Sequence, residues 1–108
     1  MTDRSEAGFQ RLVMDTAKLF GWRATHYGRV RVVRRAGTAH FTPVVGDRGA
    51  PDLILARGGV VLLVELKRDG GRLGPGQAEW AAAIGAQYRL WRPENWAAII
   101  AELRGDPV

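Results

Sequence analysis

Residues 52–67 read DLILARGGVVLLVELK, and this stretch decides the fold. Its two apolar runs, 53–56 and 60–66, are separated by Arg57-Gly58-Gly59, which predicts an antiparallel hairpin with a tight turn. Residues 60–64 are almost continuously hydrophobic, and this is typical of a central strand covered on both faces.

An opening helix and a β-rich segment precede the hairpin. Apolar residues recur at helical spacing in residues 9–20, with Thr2 or Asp3 as candidate cap and Gly21 as the stop. Residues 22–46 combine alternating apolar residues with turn residues, which predicts strands joined by turns.

Two helices and one strand follow the hairpin. Pro75 is suited to open a helix, residues 88–91 predict a short strand, and Pro93 begins a closing helix that Gly105 can end. The predicted order is α-β-β-β-β-α-β-α. It indicates an α/β fold, with helices flanking a small mixed sheet in a single domain, residues 1–108.

The composition is that of an ordinary globular domain. The chain has 108 residues, 46% of them hydrophobic and 25% charged, and compact domains most often have about 100–150 residues. The absence of cysteine excludes a disulfide framework, a thiolate nucleophile and a cysteine-based zinc site. No apolar run approaches the roughly 20 residues of a membrane span, and the N-terminus is not a signal peptide. We therefore expect no contact with a membrane, and the absence of cysteine fits a reducing compartment such as the cytoplasm, where we expect the protein to act.

The charge of the chain points to a polyanionic partner. Sixteen Lys and Arg against 11 Asp and Glu give a net charge of +5 and a pI near 10.7. No acidic residue lies between Asp15 and Asp47, an interval that contains Lys18, Arg23, Arg29, Arg31, Arg34 and Arg35. Two interpretations explain the positive charge of this interval. It is either a solvated edge strand, on which arginine prevents aggregation, or a surface that contacts phosphate groups.

Asp52, Glu65 and Lys67 are expected to meet at one end of the hairpin. The period of two places Glu65 and Lys67 on the same face, and strand pairing brings Asp52 close to Glu65. Hard divalent cations prefer carboxylate oxygens, and a bound cation polarises a phosphate and lowers the pKa of a water molecule. We expect Asp52, Glu65 and the backbone carbonyl of Leu66 to bind Mg²⁺ or Mn²⁺, with Lys67 as the catalytic cation.

A simpler interpretation of the same residues stays open. Asp52 follows a proline after a glycine-containing loop, where turns and caps are common, and Glu65 with Lys67 has the spacing of a surface salt bridge. The catalytic interpretation gains weight because Glu65 follows five apolar residues, where an ion pair is costly to place.

Short motifs from Glu6 to about Leu103 agree in order and spacing with a known family. They are Glu6 with Gln10, Gly21-Trp22 with His26, GAPDLIL at 49–55, VELK at 64–67, Gly71-Arg72-Leu73 with Pro75 and Gln77, Trp80, and Trp91-Arg92-Pro93 with Trp96. On these residues the chain resembles the VRR-NUC (virus-type replication-repair nuclease) branch of the PD-(D/E)xK nuclease superfamily.

The resemblance implies a restriction-endonuclease-like core and a role for each matching position. Asp52, Glu65 and Lys67 would be the catalytic residues of the PD-(D/E)xK motif. Glu6 would approach the metal from the first helix, as a ligand or through a water molecule. Gln77 would position water, metal or phosphate. Without the resemblance, Glu6 is typical of an ordinary first-turn acid and Gln77 of a solvent-facing helix residue.

Two expectations concern the second helix and the tryptophans. Gly74 and Gly76 flank Pro75, where the family typically has a capping Ser or Thr and a better helix former. The loop before Gln77 is therefore expected to be mobile until DNA binds. Trp80, Trp91 and Trp96 are expected in the core.

The resemblance also implies the activity. The expected protein is a metal-dependent, structure-selective endodeoxyribonuclease that cuts branched DNA, such as Holliday junctions or flaps, in phage or bacterial replication, recombination or repair. One domain offers one active site, so cutting two strands requires a homodimer. No organic cofactor is expected. The residues expected to contact DNA are Arg29, Arg31, Arg34, Arg35, Arg48, Arg68 and Arg72.

Two other functions remain open at this point. A non-catalytic DNA-binding accessory protein could retain the nuclease fold, and it would show neither stabilisation by divalent metal nor cleavage. A sequence-specific restriction-type endonuclease would give discrete fragments from long duplex DNA.

Overall fold

The predicted hairpin forms the middle of a four-stranded sheet. The computed structural model describes residues 5–26, 30–34, 37–41 and 46–105, the second and third ranges by their backbone alone. Short 3-10 helices occur at Gly85–Gln87 and Pro93–Asn95. The other elements are α1 (Glu6–Leu19), β1 (Arg23–His26), β2 (Val30–Arg34), β3 (Gly37–Phe41), β4 (Leu53–Arg57), β5 (Val60–Leu66), α2 (Pro75–Ile84), β6 (Tyr88–Trp91) and α3 (Trp96–Arg104).

The sheet is mixed, as the sequence predicts. Its strand order is β1-β4-β5-β6, in which only the β5–β6 pair is parallel. Gly58 and Gly59 connect β4 to β5 with φ values of 57° and 84°. Two successive positive φ angles belong to the type I′ turn, whose twist matches that of the strands it joins. The glycines therefore fix the register on which the candidate site depends.

The sheet contains one strand, β1, that is missing from the predicted order of elements. β1 pairs with β4 along the whole of Arg23–His26, although its sequence has no apolar alternation. The strands predicted in residues 22–46 include β2 and β3, which pair as an antiparallel hairpin with Arg34 opposite Gly37, but they make a separate two-stranded sheet.

The core lies on one face of the four-stranded sheet, beneath α1 and α3. Side chains that alternate along β4 and β5 point into it and meet apolar residues of the two helices. Its fully buried large side chains are Phe9, Val13, Leu53, Leu55, Val64, Ile99 and Leu103. Among the described residues, no helix is both long and apolar enough to cross a membrane.

The opposite face of the sheet is covered less completely. On this face Val61 is 43% exposed and Leu63 is half-buried, and Val60, on the core side at the start of the strand, is 52% exposed. The expectation that β5 is covered on both faces is therefore wrong at its beginning. The physical reason is that α2, on the Glu65 side of the sheet, has no buried residue.

Two helix boundaries differ from those predicted. Ser5, not Thr2 or Asp3, caps α1, because its Oγ accepts a hydrogen bond from the Gly8 amide at 3.1 Å. The closing α-helix begins at Trp96, since Pro93–Asn95 forms a 3-10 turn before it. Gly105 ends this helix in the left-handed conformation, as predicted.

Arg57 ties the ends of α1 and α3 together. Its Nη1 donates to the carbonyl oxygens of Phe20 at 3.0 Å and Leu103 at 2.8 Å. Its guanidinium carbon lies 4.7 Å from the ring centroid of Trp22, and the Trp22 indole N–H donates to the same Leu103 oxygen at 2.8 Å. A cation at helix C-termini stabilises their unpaired carbonyl groups.

Arg57→Ala is therefore expected to lower the free energy of unfolding by about 2–3 kcal/mol, through loss of the cation–π contact and two hydrogen bonds. Urea denaturation measures this change. Arg23→Ala, at an exposed position of β1, is the control and should change stability by less than about 0.5 kcal/mol. Equal stability of the two variants would contradict the role of Arg57.

Candidate active site

The β4–β5 hairpin places Asp52 opposite Glu65. Leu53 pairs with Val64, so the antiparallel register continues to Asp52 and Glu65 one position further. Asp52 lies immediately before β4, and its Oδ2 accepts a hydrogen bond from the Leu66 amide at 2.9 Å. The predicted proximity of the two carboxylates is confirmed.

Glu65 is the buried polar residue at the centre of this arrangement. It is 3% exposed, and its Oε2 accepts a hydrogen bond from the Gln77 amide at 3.1 Å. The Lys67 Nζ lies 4.0 Å from the same oxygen. Within the described parts of the chain, Oε1 has no hydrogen-bond partner. An unpaired buried carboxylate oxygen is costly, which makes it a candidate ligand for a cation.

Burial raises the pKa of Glu65 to about 8, and the nearby carboxylate of Asp52 raises it further. Lys67 opposes this rise, but does not overcome it. Two neighbouring carboxylates cannot both be charged cheaply in a buried site. Without a bound cation, Glu65 therefore keeps its proton at neutral pH.

The backbone of Leu66 fits the predicted third ligand. The Lys67 amide donates to the Trp91 carbonyl oxygen at 3.0 Å, toward β6. In the trans peptide between Leu66 and Lys67 the C=O points opposite to the N–H, so the Leu66 carbonyl points away from β6 and toward Asp52, immediately before β4. The Leu66 amide already bonds to Asp52 on that side.

Gln77 is held by two hydrogen bonds. Its Oε1 accepts from the Gly74 amide at 2.9 Å, while its Nε2 donates to Glu65. Since Gly74 has no side chain to cap α2, Gln77 completes the first turn from within the helix. The side chain is thus fixed against the site, as the resemblance implies, and does not face solvent.

Glycines bring the loop before Asp52 into contact with the start of α2. A Cβ atom on Gly49 would lie 2.6 Å from the Gly76 carbonyl carbon, and one on Gly76 would lie 2.9 Å from the Arg48 oxygen. Gly76 therefore permits close backbone packing, which is a different role from the loop mobility predicted for it.

Hydrogen bonds also join the loop between β5 and α2 to the residues that follow β6. The Arg92 Nε donates to the Gly71 carbonyl oxygen at 2.8 Å, and the Glu94 amide donates to the Asp69 carboxylate at 2.8 Å. These bonds hold the loop against the segment that follows β6.

Glu6 lies in the first turn of α1 and is exposed. Its charge contributes to the raised pKa of Glu65, as the smallest of the causes. In the described residues, no three His, Cys, Asp or Glu side chains come together as a ready-made metal site. Metal binding by Glu6, as a ligand or through a water molecule, stays a prediction.

Tyr88 is a component of the site that the sequence did not reveal. It pairs with Leu63 in the parallel register, so its side chain shares the sheet face of Glu65. Burial raises its pKa to about 12, with additional contributions from Glu65 and Asp52. Its buried hydroxyl has no hydrogen-bond partner within the described residues. Only the β5–β6 register, which local periodicity does not supply, could have indicated this residue.

Tyr88→Phe is expected to raise the free energy of unfolding of the metal-free protein by about 1 kcal/mol, because it removes an unpaired buried hydroxyl. Chemical denaturation in EDTA checks this result. Tyr88→Leu serves as the comparison, since it also removes ring packing and should destabilise the protein. A Tyr88→Phe protein that is less stable than wild type would show that the hydroxyl has a partner.

The predicted DNA-contacting arginines fall into three groups. Arg29 and Arg35 lie outside the described residues, and Arg31 and Arg34 belong to β2, which is described by its backbone alone. Arg68 and Arg72 are exposed in the loop that follows Lys67. Arg48 lines a cavity beside α2. DNA contact by all seven stays a prediction.

The three tryptophans predicted in the core differ in position. Trp91 is 5% exposed and belongs to the core, and Trp96 packs against the core, where its ring and that of Phe9 meet edge to face. The prediction is wrong for Trp80, which is half-exposed on α2 and donates its indole N–H to the Arg48 carbonyl oxygen at 3.1 Å. The side of α2 that carries it does not reach the core.

No family model, curated protein or solved structure matches this chain.

Proposed function

We propose that this chain is a metal-dependent, structure-selective endodeoxyribonuclease that hydrolyses phosphodiester bonds in branched DNA. The observation that carries the proposal is the pairing of Asp52 with a buried Glu65, beside Lys67, at the end of an apolar sheet. Two carboxylates and an ammonium at one site are the groups that metal-assisted phosphodiester hydrolysis needs.

The donor set fits a hard divalent cation. Asp52, Glu65 and the Leu66 carbonyl would hold Mg²⁺ or Mn²⁺, with Glu6 acting through a water molecule. The unpaired Oε1 of Glu65 and its raised pKa support this assignment, because a cation would replace the proton that the buried carboxyl now retains. The bound cation supplies Lewis-acid polarisation of the phosphate and a water of lowered pKa.

The protein groups have separate tasks in this proposal. Lys67 offers a positive charge to the phosphate oxygens as negative charge develops on them. The Leu66 amide fixes one oxygen of Asp52, and Gln77 fixes one oxygen of Glu65. Each carboxylate therefore keeps its other oxygen for binding, in an orientation set before substrate arrives.

We assign the chain to the VRR-NUC branch of the PD-(D/E)xK superfamily, with a restriction-endonuclease-like core, as part of the same proposal. Support comes from the order of the motifs in the sequence and from the mixed sheet, whose hairpin presents Asp52, Glu65 and Lys67 together. Such an enzyme would act in DNA replication, recombination or repair in the cytoplasm of a bacterium or a phage-infected cell.

The charge and size of the chain support a DNA substrate and a dimeric enzyme. With a net charge of +5, phosphate contacts should make binding fall steeply with salt. Each copy supplies one pair of carboxylates, so two symmetric cuts at a four-way junction need two copies related by a two-fold axis.

Cleavage assays test the activity directly. Linear duplex, flap, splayed-arm and four-way-junction substrates are incubated with Mg²⁺ or Mn²⁺ and either wild type, Asp52→Asn or Asp15→Asn. We expect wild type and Asp15→Asn, whose changed residue is exposed on α1, to cut branched substrates, and Asp52→Asn to be about 10³-fold slower.

The other outcomes identify the rival functions. Metal-independent DNA binding without cleavage would indicate the accessory protein. Discrete fragments from long duplex DNA would indicate the restriction-type enzyme. Equal cutting by wild type and Asp52→Asn would refute the site assignment.

A further inference from the structure

A cavity of about 270 Å³ lies between the loop before Asp52 and the exposed side of α2. It is lined by Asp47, Arg48, Glu79, Trp80 and Ala83. The Trp80 indole is held by its N–H bond to the Arg48 carbonyl oxygen, so the ring is oriented although it is half-exposed. A preoriented aromatic ring in a small cavity is suited to stacking.

We propose that this cavity binds one unpaired nucleobase of the DNA substrate, stacked on the Trp80 indole. This inference rests on the proposed nuclease function and names the feature of branched DNA that the protein recognises. Every base has an aromatic face, and stacking on a protein aromatic strengthens binding by roughly 5- to 150-fold per base. The cavity volume is near the lower end of small-molecule sites, which fits one heterocycle.

The charges of the cavity favour a base over a phosphate. Asp47 and Glu79 give two negative charges against the single positive charge of Arg48. A phosphate group would be repelled by the two carboxylates, whereas a neutral base can donate its amino group to one of them. The Arg48 guanidinium offers a second planar group for a base.

The cavity is linked to the candidate active site through α2. Trp80 follows Gln77 by three positions on α2, about 4.5 Å along the helix and on a neighbouring side. Gln77 bonds to Glu65, and the contact between Gly49 and Gly76 fixes the Arg48 segment against the same helix turn. A base in the cavity would therefore hold its strand close to Glu65, so DNA with an unstacked base near the cutting position is preferred.

Binding to bulged DNA in EDTA tests this inference without any cleavage. The probe is a labelled duplex with one unpaired adenine, compared with the same duplex carrying an abasic residue at that position. Fluorescence anisotropy gives Kd for wild type, Trp80→Leu, Trp80→Phe and Ala83→Leu. Ala83→Leu fills the cavity from an exposed position and leaves the indole in place.

Wild type is expected to bind the adenine probe about tenfold more tightly than the abasic probe, within the range of single-base stacking. Trp80→Leu and Ala83→Leu should bind both probes equally, with the affinity that wild type has for the abasic probe. Trp80→Phe keeps an aromatic ring but loses the N–H bond to Arg48, so its preference for the adenine probe should lie between those of wild type and Trp80→Leu. A wild-type ratio near one, or an unchanged ratio in Ala83→Leu, overturns the inference. If the protein gives either of these ratios of Kd but still cuts branched DNA, only the base site is refuted. If wild type neither binds nor cuts DNA, the proposed nuclease function is refuted as well.

Discussion

Lys67→Met is expected to lower kcat for metal-dependent DNA cleavage by about 10³-fold, the upper range for removal of one charge-stabilising group from an active site. The Lys67 Nζ is 4.0 Å from Glu65 Oε2, and the side chain is only 19% exposed. Methionine retains the aliphatic length but not the charge. The stabilisation of the transition state should therefore be lost. Kd for DNA, measured in Ca²⁺, should change by less than about threefold, because only one of several phosphate contacts is removed.

The chain offers a matched control, because Lys18 is its only other lysine. It is exposed near the end of α1, so Lys18→Met changes the net charge equally and should leave kcat unaltered. Single-turnover cleavage of a four-way junction compares the two variants. A Lys67→Met protein as active as Lys18→Met would remove Lys67 from the chemistry.

Glu65→Gln is expected to make the metal-free protein more stable while abolishing cleavage. The pKa of Glu65 is raised from 4.5 to about 8 in the folded state, so this state binds more protons than the unfolded state between these values. Stability from this group is complete below about pH 4.5 and is lost as the pH rises through 8. Glutamine stays neutral, can accept the bond from Gln77, and can donate toward Asp52.

The expected gain from Glu65→Gln is about 4 kcal/mol in the free energy of unfolding at pH 8, and less than about 0.5 kcal/mol at pH 4.5. Urea denaturation in EDTA across this pH range measures it. Glu94→Gln, at an exposed position, is the control and should follow the wild-type pH dependence. Parallel pH curves for wild type and Glu65→Gln would contradict the buried, protonated state of Glu65.

The position of the carboxylate pair could be predicted because it depends on local rules. The glycine turn and the period of two in residues 52–67 determine which side chains of a hairpin lie opposite one another. No long-range information is needed for the Asp52–Glu65 contact. The same holds for Gly105, whose left-handed conformation ends α3 at the predicted place.

The features that sequence patterns missed depend on non-local packing. β1 has no apolar alternation of its own, and Tyr88 joins the site only through a parallel strand pair. Trp80 has the helical spacing of a core residue, yet its helix lies on the sparsely covered face of the sheet. The packing of Gly49 on Gly76 likewise joins two segments that the sequence presents as separate loops.

Proton-linked Mn²⁺ binding tests the central claim, that Asp52 and Glu65 form a divalent-metal site, most directly. Isothermal titration calorimetry at pH 7 in two buffers of different ionisation enthalpy gives the protons released per bound ion. Because the pKa of Glu65 is about 8, wild type and Asp15→Asn should release about one proton per Mn²⁺. Glu65→Gln and Asp52→Asn should show no binding in the same range. Mn²⁺ binding that Glu65→Gln and Asp52→Asn leave unchanged would contradict the metal site, and binding without proton release would contradict the raised pKa of Glu65.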